Sequence, residues 1–583
     1  MKRITSGWEL YANQGESLMK TFEHYTYNRP IFKEEKERFN SLLDNFKHAA
    51  TVEEQTEAIN EINKFRNHIS TQFNLAYIRA SIDTNDEYYQ KERDYFDEVE
   101  PQLTELVNEY YKALLQSPWR SELEKKWGKQ LFGLADKSIK ASSPEVISLL
   151  QKENKLTSEY SKLVASAEVE FNGEKLTLAQ LYPYSESTDR DIRKKATFAN
   201  YDFFKGHEEK FDNLYDQLVK VRHEIAVSLG YKNFVELGYV RMHRLDYDAK
   251  MVKNFRDQVR DFIVPLAAKL RKRQAERIGV EDLMFWDEPL SFLTGNAIPK
   301  GSPEWIIDNG RTMYEELSPE THEFFSYMTD RKLMDLEAKK GKEAGGYCTF
   351  IEDYQSPFIF SNFNGTSGDI DVLTHEAGHA FQVFSSRHIE VPEYLWPTHE
   401  GAEIHSMSME FFTWPWMEKF FEEQTEKYKF AHLSSGILFL PYGVAVDEFQ
   451  HVIYENPQMT PAERKSAWKK IEEIYLPHRK YGGHSYLEAG GVWQRQGHIY
   501  EVPFYYIDYT LAQICAFQFW KRSREDFQKA WDDYLHLCKV GGSKSFTELV
   551  KEANLISPFE DGCVEFVIGS IEEWLNSVED GSL

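Results

Sequence analysis

His375-Glu376-Ala377-Gly378-His379 is an H-E-x-x-H pattern. Wound as a helix, it puts His375 and His379 at i and i+4, so both imidazoles leave one face a turn apart. Two imidazoles so spaced can share one Zn²⁺ at about 2.0–2.1 Å, with a carboxylate completing the protein's share. Glu376 lies about 100° round the helix, within reach of a zinc-activated water as general base and not itself a ligand. Such a string also arises by chance, and satisfied core histidines are the plain alternative. The flanks weigh against chance. Leu373, Ala377, Ala380, Phe381 and Phe384 form an apolar stripe at helical spacing, which would bury the helix. Polar groups buried with it need partners, since unpaired ones cost kilocalories each. Asp371, four residues before His375, is expected to orient that imidazole.

A third ligand must come from a second helix. Thr398–Met417 offers Glu400, Glu403 and Glu410. Glu403, Ser406, Met407 and Glu410 fall on one stripe, and Met407, Met409, Phe411 and Phe412 make the segment too apolar for a solvated acidic face. Glu403 is the expected third ligand, with Glu410 supporting it, giving one zinc per chain. His405 faces elsewhere and reads as a core or surface histidine. Asp447, Glu448 and His451 read as a buried carboxylate–histidine pairing in preference to a second metal site.

The elements that must hold these residues are mostly helices. From Pro30 to about Ser166, apolar residues recur every three or four positions among many charges. Asn172-Gly173, between Val169 and Leu176, predicts a hairpin with a type I′ turn. Helices resume near Ser187, with Pro265 expected to kink or break one of them. Met284–Lys300 reads as loop and Tyr314–Met328 as helix. Gly345–Phe350 and Pro357–Phe360 read as two strands just ahead of the H-E-x-x-H helix. An exposed edge there could take a peptide backbone as an added strand, or the pair could simply close the core. The glycine-rich run from Tyr481 to His498 suits a lid or a substrate-lining loop, though a connector would look the same. The VEDGSL tail reads as frayed. The expected division is residues 1–185 as an N-terminal helical domain and 186–583 as the catalytic domain.

With 583 residues, 41% of them hydrophobic, the chain can bury one large core or two. A formal charge of −26 argues against nucleic acid and anionic membrane surfaces, which both need a basic footprint. The four cysteines, at 348, 515, 538 and 563, have no C-x-x-C spacing and read as buried free thiols. The first twenty residues lack the apolar run of a leader, and no stretch approaches a membrane span. A cytoplasmic location is the expectation. Oligomeric state is not legible.

Three separated stretches, GYCTFIEDYQSPFIFSNFNGTSGDIDVLTHEAGHAFQ, EIHSMSMEFF and GHIYEVPFYYIDYTLAQ, resemble the oligoendopeptidase F family of thimet-oligopeptidase-like zinc metallopeptidases. The likeness is dense from about Gly345 onward and only general before it. It implies zinc on His375, His379 and Glu403, with Glu376 catalytic. It also implies a catalytic histidine followed by clustered tyrosines, here His498 with Tyr505, Tyr506 and Tyr509. Of these, Tyr506 and Tyr509 (i and i+3) are the expected oxyanion donors beside His498. The implied fold is a mainly α, two-lobed ellipsoid with a deep channel and a small β-sheet near the zinc helix. The implied activity is endopeptidase cleavage of short peptides. Two alternatives stay open. One is a helical zinc carboxypeptidase or dipeptidyl carboxypeptidase, for which Arg495 is the cation to hold a substrate carboxylate. The other is a peptide-binding protein without activity.

Overall fold

The computed structural model describes residues 20–583. The N-terminal stretch read above for a leader lies outside the described residues. Six helices, from Phe32–His48 to Ile147–Ala165, build the N-terminal part. The two longest, Val52–Ile82 and Glu87–Leu115, start at side-chain caps: Thr51 Oγ1 accepts from Glu54 N (3.1 Å), and Asp86 accepts from Tyr88 N (2.9 Å). Phe39, Phe65, Tyr110 and Leu131 close a local core among these helices. A much larger core holds the rest of the chain together. The predicted hairpin is present: β1 (Val169–Phe171) pairs antiparallel with β2 (Glu174–Leu176). Asn172 and Gly173 both have positive φ, 50° and 83°, as a type I′ turn demands.

Three helical expectations change. The segment read as Tyr314–Met328 is two helices, Pro303–Leu317 and Pro319–Asp330. Ser318 ends the first and caps the second, its Oγ accepting from Thr321 N at 3.1 Å. Pro265 breaks nothing, because a π-helical turn, Val259–Ile263, links Ala249–Gln258 to Val264–Arg277 just ahead of it. The tail is tied down, with Asp580 accepting from Arg273 Nε (3.0 Å) and Arg277 Nη1 (3.2 Å). Among the described residues, no helix is long and apolar enough to cross a membrane.

The strands before the H-E-x-x-H helix belong to a three-stranded sheet, ordered β3 (Met334–Glu337), β5 (Ser356–Phe363), β4 (Tyr347–Ile351). β3 escapes sequence reading because Met-Asp-Leu-Glu has neither β-branched nor aromatic residues. β5 is central and almost wholly buried, hence its unbroken apolar run. β4 is an edge. From β5 the chain turns directly into the Gly368–Ser386 helix. Asp369 fixes that turn by accepting from Asn364 N (2.9 Å) and Gly365 N (2.8 Å).

Gly378, the second variable position of H-E-x-x-H, faces the His399–Phe412 helix at backbone contact. A Cβ there would lie 2.6 Å from Ser406 Cα and 2.7 Å from the His405 carbonyl oxygen. Only glycine lets the two helices approach so closely. Gly378→Ala is therefore expected to force them apart, at about 1–3 kcal/mol of stability. Because Glu403 is on the displaced helix, metal affinity should fall with it. Thermal melts with and without added zinc check both effects; an unchanged metal-dependent gain in Tm would contradict them.

Candidate active site

The Gly368–Ser386 and His399–Phe412 helices bring three donor atoms together. Glu403 Oε2 lies 3.2 Å from His375 Nε2 and 3.3 Å from His379 Nε2. The edge of a tetrahedron with metal–ligand bonds of 2.0–2.1 Å is about 3.3 Å, so Glu403 sits at the spacing one Zn²⁺ requires from each imidazole, and all three donors lie within 4.8 Å of one another. Two imidazoles and a carboxylate also suit zinc chemically. Electrostatics agree. Burial pulls the His375 imidazole down, but Glu403 and Glu410 outweigh it and hold it well above its usual range. Burial pushes Glu403 up, yet His379 and His375 bring it well below the usual carboxylate range. The cluster favours positive charge at its centre, so the residues present fit the metal.

The orientation of His375 is set from behind, by Glu410 and not by Asp371. Trp414 Nε1–H, a donor only, gives its proton to His432 Nδ1 (2.9 Å). His432 Nε2–H then donates to Glu410 Oε2 (2.7 Å), and Glu410 Oε1 accepts from His375 Nδ1–H (2.8 Å). That chain leaves the Nε2 lone pair of His375 facing Glu403. Asp371 instead accepts from the Tyr428 hydroxyl (2.7 Å), whose ring stacks on His432. Glu403 keeps its own geometry through Ser406 Oγ (2.8 Å) and the Tyr505 hydroxyl, which donates to Oε1. Glu400 lies among Thr398, Arg244 and Asp246, apart from the triad. His405 is a buried core histidine bonded to the Gly401 carbonyl (2.8 Å). Asp447 pairs with Arg256 at 2.5 Å, so the expected second cluster is structural.

The triad opens on an interior cavity of about 630 Å³. Glu376 lines it, almost wholly buried, and its Oε2 has no hydrogen-bond partner. Burial pushes that carboxyl above the ordinary range, with the neighbouring histidines opposing. Gly345–Thr349, at the start of β4, lines the cavity, as do Tyr160 and Ser161 of the Ile147–Ala165 helix in the N-terminal part. β4 is tied to the Val52–Ile82 helix by Asn74 Nδ2, which donates to the Phe350 carbonyl (2.8 Å), and by Ser81 Oγ to Tyr347 OH (2.6 Å). Cys348 is half-buried on this strand; the other three cysteines are buried free thiols, as expected.

Arg495 to His498 line the cavity too, so the glycine-rich run supplies wall. Three of its glycines, Gly482, Gly490 and Gly491, serve close packing: a Cβ on Gly490 would lie 2.4 Å from the Lys465 carbonyl. The Gln496 side-chain amide donates to His498 Nδ1 (2.9 Å), leaving Nε2–H to donate to the Tyr509 hydroxyl (3.0 Å). Burial lowers His498 to about 4, so the imidazole is neutral. Tyr505 and Tyr509 stack at 5.0 Å and both line the cavity. Tyr506, expected there with Tyr509, packs against the His498 ring (5.1 Å) but does not line the cavity. The helix begins at Tyr506 and turns that ring toward Phe439 and Tyr442, while Tyr505, four before Tyr509, shares its face. An i, i+4 comparison of Tyr505 with Tyr509 was the available signal. Phe504 sets the turn at φ 68°, held by Gln450 Oε1 on its N–H (2.8 Å) and Arg244 on its carbonyl (2.5 Å).

Comparison with known proteins agrees with this site. The description "Peptidase M3 N-terminal domain" matches residues 22–142, and "Peptidase family M3" matches 184–291 and 315–566. The chain belongs to peptidase family M3. Within that family of metallopeptidases it is similar to an oligoendopeptidase F homolog of Borreliella burgdorferi, 25% identical over 422 residues, covering 68% of this chain and 69% of the relative. The solved structure of PZ peptidase A with an inhibitor is 65% identical, with a TM-score of 0.95, and covers 96% of this chain and 100% of that one. A Bacillus anthracis structure assigned to oligoendopeptidase F is 57% identical, with a TM-score of 0.92, covering 97% and 100%. The M3 chain is thus a peptidase with a mainly α fold, 71% helical with two small sheets.

Proposed function

We propose that this M3 peptidase is a zinc endopeptidase of short peptides, with His375, His379 and Glu403 as ligands and Glu376 as general base. The observation that carries the reading is the juxtaposition of three donors within 4.8 Å of one another with the buried, unpartnered Glu376 carboxylate oxygen in one cavity. Zinc, when bound, supplies Lewis-acid polarisation of the scissile carbonyl and a water acidified toward a pKa of about 7. Glu376 takes the proton as the water oxygen bonds to the carbonyl carbon. It then delivers that proton to the departing nitrogen as the C–N bond breaks. The Tyr509 hydroxyl, accepting from neutral His498, is free to donate to the oxygen on which charge develops. Tyr505 is committed to Glu403 and holds the ligand in place. Tyr506 packs behind these groups. The outer edge of β4 pairs with no strand among the described residues, so an extended peptide can lie along Gly345–Thr349 as an added strand.

Walls from both parts of the chain make the cavity accessible to an extended segment and closed to a folded surface, since threading would require local unfolding. The test is a ladder of internally quenched peptides, blocked and unblocked at both ends, with denatured casein alongside. Internal cleavage of doubly blocked short peptides is expected, with little digestion of casein. Cleavage that demands a free carboxyl terminus would establish the carboxypeptidase alternative instead. Efficient digestion of casein to small fragments would overturn the enclosed-channel reading and leave the zinc chemistry standing.

A further inference from the structure

Arg495 is the one residue that lines both the active-site cavity and a second cavity of about 470 Å³ on the far side of the wall it belongs to. Its guanidinium has no carboxylate within 4 Å among the described residues. That is unusual in this molecule, where acids exceed bases by 95 to 69. The buried arginines, by contrast, are matched. Arg193 pairs with Asp287 (2.7 Å), Arg222 with Glu153 (2.7 Å), Arg244 with Asp508 (2.9 Å) and Arg479 with Glu288 (2.9 Å). Of the three acids that line the second cavity, Glu288 is engaged by Arg479, Asp371 accepts from Tyr428 (2.7 Å), and Glu186 is beside Tyr182 and Asn296. Arg495 is instead surrounded by phenols. Its guanidinium carbon lies 5.9 Å from the centre of the Tyr442 ring, and Tyr201 and Tyr506 are also neighbours. It is exposed and lines both cavities.

We propose that Arg495 is the binding site for a carboxylate of the peptide substrate. A guanidinium fork accepts a carboxylate through two parallel hydrogen bonds, and neighbouring hydroxyls can add donors. A peptide offers two sources, its C-terminal carboxylate or an Asp or Glu side chain. Binding at this point reaches the chemistry through a short chain. Tyr442 OH donates to Gln496 Oε1 (3.0 Å), and Gln496 holds His498, which holds Tyr509. A carboxylate held at Arg495 therefore registers the peptide against the oxyanion donor, using contact remote from the scissile bond. This inference rests on the peptidase reading above.

The test uses the zinc-loaded full chain and one short quenched peptide in four forms. These combine a free or amidated C-terminus with an acidic side chain or its amide counterpart. With wild type, kcat/KM is expected to be about 10- to 100-fold higher for a form carrying the recognised carboxylate, mainly through KM. Arg495→Ala should abolish that preference, so that the variant cleaves the charged and fully amidated forms at similar rates. Arg495→Lys should keep part of it. A preference that follows only the C-terminus, or only the side chain, identifies the source. The wild-type comparison stands even if the alanine variant folds poorly. No preference in wild type, or an equal loss on charged and amidated peptides in Arg495→Ala, overturns the proposal. Continued cleavage of the amidated peptide leaves the peptidase assignment intact.

Discussion

Glu376→Gln is expected to retain about one zinc per chain and to lose peptidase activity by a factor of about 10²–10⁴, the usual contribution of a positioned general base. The substitution is nearly isosteric. The carboxylate it replaces is buried, lines the cavity and makes no protein hydrogen bond through Oε2, so nothing structural depends on its charge. What is lost is the proton acceptor. Zinc content by elemental analysis and single-turnover rates on a blocked peptide read the two properties separately. Loss of zinc from this variant would mean that Glu376 is a ligand and that the base has been wrongly assigned.

Glu403→Ala should lower zinc affinity far more than changes at its helix neighbours Glu400 and Glu410. Its Oε2 is the vertex shared by both imidazoles, and its removal leaves two ligands where a catalytic zinc site needs three. Glu410→Ala should cost about 10–100-fold, because it frees His375 Nδ1 and unlinks the ring from His432 without removing a donor atom. Glu400→Gln, one turn before Glu403 and among Arg244 and Asp246, should leave affinity within a few-fold of wild type. Competition titrations against a chromophoric chelator rank the three. A larger effect at Glu410 than at Glu403 would invert the ligand assignment.

These ranks show how far local pattern reaches. Histidines at i and i+4 share a helix face whatever the rest of the molecule does, so His375 and His379 were legible as a pair. Glu403 was legible because its helix is too apolar to be solvated. The support for His375 was not. Asp371 had suitable spacing along its own helix, but the group that bonds the imidazole, Glu410, is on the next helix and is held by His432 from a third. Such bonds depend on how helices cross, which periodicity does not encode. The tyrosines divide the same way. Clustering marked the region, but the helix start at Tyr506 decided that Tyr505 and Tyr509 face the cavity together.

The sequence by itself determined a helical, acidic chain with a metal-site pattern, since helical period, charge and the H-E-x-x-H spacing are properties of short stretches of chain, and its resemblance to the oligoendopeptidase F family implied the peptidase activity. Tertiary structure decided what depends on approach between distant segments. Gly378 packs against Ser406 so closely that two helices place three donors within one zinc's reach. β3, two acids among four residues, becomes a strand because β5 lies beside it and supplies its hydrogen bonds. Arg495 could be named from sequence as a cation, but not as an unpaired one. Whether a charge has a partner is settled by what the fold brings within 4 Å of it, and around Arg495 the fold brings phenols and open cavity.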